Sequence, residues 1–335
     1  MTQTVDACVS VPERLRQLYE PIRGELAEVE EILRSEARSH VPAVDELVTH
    51  AFRLGGKRLR PALLLLAAKA VGGKIGREHL VLAAVVEMIH TATLVHDDVL
   101  DEAAVRRHLD TVNARWSNQS SVLLGDFLFS HAFYLASTVG STFACQRIGR
   151  STNIVCEGEL RQVANRGNWE LSEADYLSII EAKTAELCAC CCRLGAHYAH
   201  AEPAVANALE NYGRYLGIAF QIADDLLDLV GEEETAGKSL GTDLDQQKLT
   251  LPLIRLRDQL DDGERRRVVQ LLKHPRSELR EELQRWLDDS DALDYTRKRA
   301  RSYARRAVAE LRHLPISREH DVLERLGRFV VDRRQ

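Results

Sequence analysis

The sequence predicts an all-α protein, and three observations carry that expectation. Strict alternation of apolar and polar residues, the mark of a half-buried strand, is hard to find anywhere in the 335 residues. Proline, which breaks helices, occurs only 8 times. The apolar stretches 80–86 and 217–230 run into or contain carboxylates three and four residues apart, the spacing that stacks side chains on one helical face.

Composition narrows the class further. Hydrophobic residues make up 45% of the chain, enough for a substantial core, and no Gly/Pro/Ser-rich linker divides it, so residues 1–335 are expected to form a single domain. Lys and Arg number 45 against 51 Asp and Glu, and the net charge of −6 gives no argument for nucleic acid. The apolar runs 63–68 and 80–86 stop at Lys69 and Glu87, short of the roughly 18 residues a membrane span needs. Residues 1–7 lack the charged and apolar regions of a secretory signal, and the 7 cysteines do not read as a disulfide framework. Cys188, Cys190, Cys191 and Cys192 read as small buried hydrophobes. The expected compartment is the cytoplasm.

Taken in order, Pro12 opens an amphipathic helix to about Arg38, and a second runs from Pro42 to Gly55-Gly56. The glycines free the backbone, and Pro61 suits the first turn of a helix over 62–71. Lys57 and Arg60 are thus held where their cationic heads can meet an anion. After Gly72-Gly73 a helix begins near Glu78 and carries Asp97, Asp98 and Asp101. Asp97 and Asp101 stack one turn apart, Asp98 points about 100° away, and His90 lies about 20° off the Asp97 face. Two stacked carboxylates on an apolar helix lose hydration and repel each other, so they call for a cation. Oxygen-only ligands at this spacing suit Mg²⁺ bridging to a phosphate.

Beyond Arg107 a loop leads into an apolar helix over 122–136, whose Phe127, Phe129, Phe133 and Tyr134 read as core. Glu157-Gly158-Glu159-Leu160 sits on the next helix. Ser172 with Asp175 resembles a capping arrangement that starts a helix to about His200, carrying Lys183 and Thr184. After Pro203 a further helix carries Asp224, Asp225 and Asp228. Residues 232–242 have no apolar face and two glycines, so they read as a mobile loop bearing Lys238, with Lys248 on the following helix. The remainder is a set of Arg-rich amphipathic helices. Residues 297–306 read as a solvated face, with a peripheral membrane patch as the alternative. Two aspartate clusters, each costly to bury alone, are expected to face each other across a cleft and grip a polyphosphate through metal ions.

The motifs G-G-K-R-L-R-P, H-T-A-T-L-V-H-D-D-V-L-D-E-A-A-V-R-R, G-D-F-L-F-S, E-G-E-L, E-A-K-T-A, F-Q-I-A-D-D-L-L-D and G-K-S-L-G-T-D-L-D-Q-Q-K follow one another between about Gly55 and Pro252. In these the chain resembles the trans-isoprenyl diphosphate synthases, the polyprenyl synthetase family. The resemblance implies a helical bundle of the isoprenoid-synthase type around a deep central cavity, a homodimer, and head-to-tail condensation of isopentenyl diphosphate with an allylic diphosphate. It implies that Lys57, Arg60, His90 and Arg107 bind isopentenyl diphosphate. Arg106, Lys183, Thr184, Gln221, Lys238 and Lys248 are implied for the allylic diphosphate, with Lys183 and Lys238 also in the catalytic set. Asp97, Asp101, Asp224 and Asp228 are implied to hold two or three Mg²⁺.

His108, Asp110 and Ser117 depart from the family pattern, which commonly has Gly, Pro and Gly there; the loop after the arginine pair is the part affected. Short-chain relatives block the cavity with an aromatic residue four or five positions before the first Asp. Here those positions are Thr93 and Ala92, so the floor is expected deeper, at Phe129 or Phe133, with a product of about C30–C50 at roughly one helical turn per five-carbon unit. Membrane-surface contact is expected to be at most transient, for product release. A short-chain synthase and a class I terpene cyclase are the alternatives of the same class. A di-iron bundle is suggested by Glu87 and His90 but lacks its second Glu-x-x-His. A non-enzymatic helical scaffold is the reading from another class.

Overall fold

Helices carry the chain nearly throughout the residues that the computed structural model describes, 13–53, 56–230, 242–273 and 277–332. The chain divides into two compact units. Unit 1 comprises Met1–Ile148, Cys191–Ala206 and Leu314–Val322; unit 2 comprises Gly149–Cys190, Asn207–His313 and Leu323–Gln335.

In unit 1 the chain forms α1 (Glu13–Leu18), a 3-10 turn (Glu20–Ile22), α2 (Arg23–Glu36), α3 (Pro42–Arg53), α4 (Leu59–Ala70) and α5 (Arg77–Leu100). The single opening helix expected to Arg38 is therefore broken, because Pro21 lies in the first turn of the 3-10 segment and cannot donate to the preceding turn. After α5 comes an antiparallel ladder of β1 (Val105–Arg106) and β2 (Leu109–Asp110), then α6 (Val112–Arg115), α7 (Asn118–Ser137) and the start of α8 (Thr142–Ala164).

The core of unit 1 is α4 and α5. Leu63, Leu64, Leu65 and Leu66 are all fully buried, and each such side chain contributes about 1.5–3 kcal/mol relative to exposure. A helix that is apolar all round is stable only when covered all round. By length and composition Arg77–Leu100 would also qualify as a membrane span, although no uninterrupted apolar run in it is that long; 72% of its most apolar window is buried inside the protein, so here it is a core helix. Gly125 lets α7 close onto α5, since a side chain there would overlap the His96 ring. The buried side of α7 is Leu124, Leu128, Ala132, Leu135 and Ala136. The aromatic residues expected in the core lie on its flanks: Phe127, Phe129 and Phe133 are half-buried, and Tyr134 is 63% exposed. Leucines and small residues fill the buried side, and the aromatic ones are left at its edge.

Unit 2 holds most of α8, then α9 (Glu173–Ile180), a π-turn (Glu181–Ala185) and the start of α10 (Glu186–Tyr198). Most of α11 (Pro203–Val230) follows, then α12 (Thr242–Asp245), α13 (Leu251–Gln259), α14 (Asp262–Lys273), α15 (Ser277–Asp288), α16 (Ala292–Glu310) and the end of α17 (Arg318–Phe329). Ser172 caps α9 as expected, its Oγ accepting from the Asp175 amide at 3.1 Å. The helix expected from there to His200 is one rod with a π-turn inside it. Cys188, Cys190, Cys191 and Cys192 are buried. Arg257 of α13 reaches across to the Trp169 and Leu171 carbonyls, at 2.7 and 2.9 Å, and pins the loop before α9.

Candidate active site

In unit 1 three of the side chains nominated for one anion, Arg60, His90 and Arg107, lie close enough to influence one another. Arg58 takes the left-handed conformation, φ 49°, as the residue before α4. Its guanidinium pairs with Glu30 and, at 2.9 Å, with Glu87, whose carboxylate is buried on α5. This buried pair was not read from the sequence, although Arg58 stands inside the quoted G-G-K-R-L-R-P. Gly56 lies against the same group: a Cβ there would sit 3.3 Å from Glu87 Oε1 and 3.4 Å from Arg107 Nη1. Arg60 follows in the first turn of α4, and its buried Nε has no hydrogen-bond partner. Leaving such a donor unpaired costs about 1–3 kcal/mol, which an anion would relieve. Burial holds His90 neutral, well below its usual pKa, and Arg60, Arg107, Arg106 and Arg58 push it the same way. A neutral imidazole with the Arg60 and Arg107 guanidiniums near it could receive a multiply charged anion.

His90, Thr93, Leu94, Asp97 and Asp101 are half-buried, whereas Thr91, Ala92, Val95 and Asp98 are buried between them. At 3.6 residues per turn these five share an accessible arc of roughly 100°. His96, Val99 and Leu100 are accessible on other sides of the helix. Asp97 and Asp101 therefore share a face, as expected. Asp98 instead accepts from Arg106 Nε at 2.7 Å and anchors the hairpin of β1 and β2. The hairpin turns at Arg107 and His108, with φ of 51° and 63°, so both central residues are left-handed, as a two-residue turn of the primed type requires.

In unit 2 the nominated residues line one cleft of about 620 Å³, counting its open mouth: Lys183, Thr184, Gln221 and Lys248, beside Asp225 and Tyr176. Lys248 lies in the loop before α13 rather than on a helix, because Thr250 caps that helix and Pro252 occupies its first turn. Lys183 and Thr184 sit in the π-turn, which two glycines allow neighbouring helices to approach. A Cβ at Gly158 of α8 would lie 2.6 Å from the Lys183 amide nitrogen, and one at Gly217 of α11 would lie 2.5 Å from the Ala185 Cα. Lys183 Nζ pairs with Glu159 and donates to Gln162 at 2.7 Å.

Thr184 Oγ1 donates to Gln221 Oε1 at 2.9 Å, and Gln221 Nε2 donates to Asp225 Oδ1 at 2.6 Å. Tyr176, unflagged by any sequence signal, donates to the other Asp225 oxygen at 2.6 Å. Burial pushes the Asp225 carboxyl up to about 6, helped by Asp224 and Asp228 and opposed by the bonds from Tyr176 and Gln221. Asp228 is buried and accepts from the Asp243 amide at 3.1 Å; Asp224 is half-buried.

Among the described residues no group of three or more His, Cys, Asp or Glu is close enough to chelate an ion by itself. Asp97 with Asp101, or Asp224 with Asp228, is an oxygen-only pair that leaves most of a coordination shell to water or phosphate, a donor set that fits Mg²⁺. Lys238 lies outside the described residues.

Residues 41–289 match the polyprenyl synthetase family. The chain belongs to that family. The octaprenyl diphosphate synthase of Escherichia coli (strain K12) is 34% identical over 331 residues, covering 95% of this chain and 99% of that one. A crystal structure of a decaprenyl diphosphate synthase from Rhodobacter capsulatus superposes with a TM-score of 0.90 at 36% identity, covering 96% of this chain and 99% of that one. The polyprenyl synthase of Caulobacter crescentus CB15, complexed with calcium and isoprenyl diphosphate, gives 0.90 at 37% identity, covering 96% and 98%. This polyprenyl synthetase is accordingly a prenyltransferase with the all-helical isoprenoid-synthase fold.

The positions nominated for product length divide. Thr93 of this polyprenyl synthetase lies on the accessible arc of α5, its Oγ1 donating to the His90 carbonyl at 2.8 Å, whereas Ala92 is fully buried. Phe129 stacks on His96 with ring centroids 6.0 Å apart, and Phe133 is half-buried one turn further along α7.

Proposed function

We propose that this polyprenyl synthetase joins isopentenyl diphosphate head-to-tail to an allylic diphosphate and repeats the step to an all-trans product of about C30–C50, releasing diphosphate each time. The observation that carries the reading is the arginine-ringed, neutral His90 beside the unpaired Arg60 Nε, an anion receptor supplied by the same chain as a second, lysine-bearing cleft. Lys57, Arg60, His90 and Arg107 receive isopentenyl diphosphate. Arg106, Lys183, Thr184, Gln221, Lys238 and Lys248 receive the allylic diphosphate. Asp97, Asp101, Asp224 and Asp228 hold two or three Mg²⁺.

Bound Mg²⁺ would supply Lewis-acid stabilisation of the charge that develops on the departing diphosphate. Lys183, Lys238 and Lys248 add fixed positive charge around the same leaving group, the kind of term that dominates such reactions. The Tyr176 and Gln221 bonds to Asp225 hold that turn of α11 in one rotation, so Asp224 and Asp228 project in a fixed direction. Thr93 and Leu94, apolar or nearly so, line the path of the allylic cation and keep water from it. The alkene of isopentenyl diphosphate then attacks, and the departing diphosphate takes the proton.

Exposed apolar side chains support a homodimer: Leu123 and Tyr134 on α7 and Leu160 on α8 are 67%, 63% and 69% exposed. The exposed basic residues Arg297, Lys298, Arg301 and Arg305 of α16 support transient contact with a membrane surface during product release. The reaction is placed in the cytoplasm. Incubation with labelled isopentenyl diphosphate, Mg²⁺ and each allylic primer, followed by sizing of the products, tests the whole reading. Termination at C15 would overturn the length, and product formed without isopentenyl diphosphate would overturn the reaction.

A further inference from the structure

The backbone that carries Lys183 and Thr184 is out of register with the helices on either side. From Glu181 to Ala185 it is a π-turn, closed by the Glu186 amide donating to the Glu181 carbonyl. In an α-helix five residues turn through about 500°, which leaves side chains five apart some 140° away from each other. The i→i+5 bond of a π-turn brings the two ends of that interval together instead. Glu181 and Glu186 are those two ends. One guanidinium nitrogen, Arg214 Nη1 on α11, lies 3.2 Å from Glu181 Oε1 and 3.0 Å from Glu186 Oε2. Glu186 is buried and its other oxygen accepts from Ser151 Oγ at 2.8 Å, while Arg214 Nη2 lies 3.4 Å from Glu210.

We infer that Arg214 is a positioning residue, an ionic staple that holds residues 181–186 in π register and thereby sets the rotation at which Lys183 and Thr184 enter the cleft. Gly158 and Gly217 leave room for the segment but do not choose its register. The staple does, because the α register would carry Glu181 and Glu186 to different sides of the helix and no single nitrogen would reach both. Relaxation to that register would turn the lysine and threonine by about 100° relative to one flank and take them away from Gln162 and Gln221. The inference rests on reading Lys183 and Thr184 as ligands of the allylic diphosphate.

The test compares Arg214→Met, Arg214→Lys and the double variant Arg214→Met with Glu186→Gln. The double variant removes the buried charge that the single one would strand, so misfolding does not decide the result. Three quantities are read: KM for each substrate, the melting temperature, and amide exchange over residues 181–186. For the double variant the melting temperature stays near that of the wild type and the Glu186 amide exchanges faster. Its KM for the allylic diphosphate rises about tenfold or more, while KM for isopentenyl diphosphate stays within about twofold. Arg214→Lys recovers part of the loss.

Unchanged exchange at Glu186 together with an unchanged allylic KM overturns the staple, as does a parallel rise in both KM values that tracks the melting temperature. Lys183→Ala and Thr184→Val serve as the control for the underlying reading. If they leave the allylic KM unchanged, that reading of the cleft fails, and exchange at Glu186 alone decides whether Arg214 holds the register.

Discussion

Arg106 and Asp98 form a partly buried ion pair at 2.7 Å that ties the hairpin after α5 to the last turn of that helix. Asp98 belongs by sequence to the first aspartate cluster, yet its carboxylate faces the protein while Asp97 and Asp101 share the accessible arc. Burial raises its pKa and Arg106 opposes the rise. The middle carboxylate is thus a structural support for the two beside it.

Replacing Asp98 with Ala is therefore expected to destabilise the protein by about 1.5–3 kcal/mol, the range for a hydrogen bond to a charged group. Denaturant melts measure this. Asp98→Asn, which can still accept from Arg106, should lose less.

His108→Gly should stabilise the hairpin. His108 holds φ 63°, a conformation that costs an ordinary residue about 1–2 kcal/mol and glycine almost nothing. Against this, glycine adds unfolded-state entropy of about 0.4–1 kcal/mol. The expected net gain is about 0.5–1 kcal/mol in a denaturant melt, with activity retained. A loss of stability would mean that the imidazole makes contacts that outweigh the strain.

His90 gives the unliganded protein a pH dependence of definite sign. Its folded-state pKa lies well below the usual 6.5, so the unfolded chain binds the proton first as pH falls. Stability is complete above that ordinary value and declines as pH drops below it. Melting curves from pH 7.5 to about 5.5 should show the decline, and His90→Gln should flatten it. Equal slopes in both proteins would assign the effect elsewhere.

Lys57→Ala and Arg60→Ala are each expected to raise KM for isopentenyl diphosphate about tenfold or more while leaving KM for the allylic diphosphate within about twofold. Steady-state kinetics with each substrate varied in turn separates the two. A rise confined to the allylic substrate would exchange the roles of the two anion receptors.

Much of this arrangement is legible in the residues themselves. Pro42, Pro203 and the glycine pair at 72–73 punctuate helices, and α5 and α11 show their carboxylates at helical spacing inside apolar runs. What escapes has physical reasons. The break between α1 and α2 is marked only by Pro21, inside a run whose amphipathic pattern otherwise continues. The π-turn uses the same residue types as the helix around it. The left-handed turn at Arg107 and His108 lacks the glycine that announces such turns. The two ends of the π-turn that Arg214 holds, Glu186 and Glu181, lie 28 and 33 residues away along the chain, beyond any local pattern.

The accessible arc of α5 has a consequence for how such an enzyme changes its product. Nearly every other side chain of that helix between Val81 and Asp98 is in the core, where a change of volume disturbs packing throughout unit 1. Thr93, Leu94 and His96 are the positions outside the proposed ligand set where bulk can be added without that disturbance. If the proposed cavity runs along this helix, drift in product size that begins here would be funnelled through these few codons, and repeated evolution of shorter or longer chains from this scaffold should revisit them.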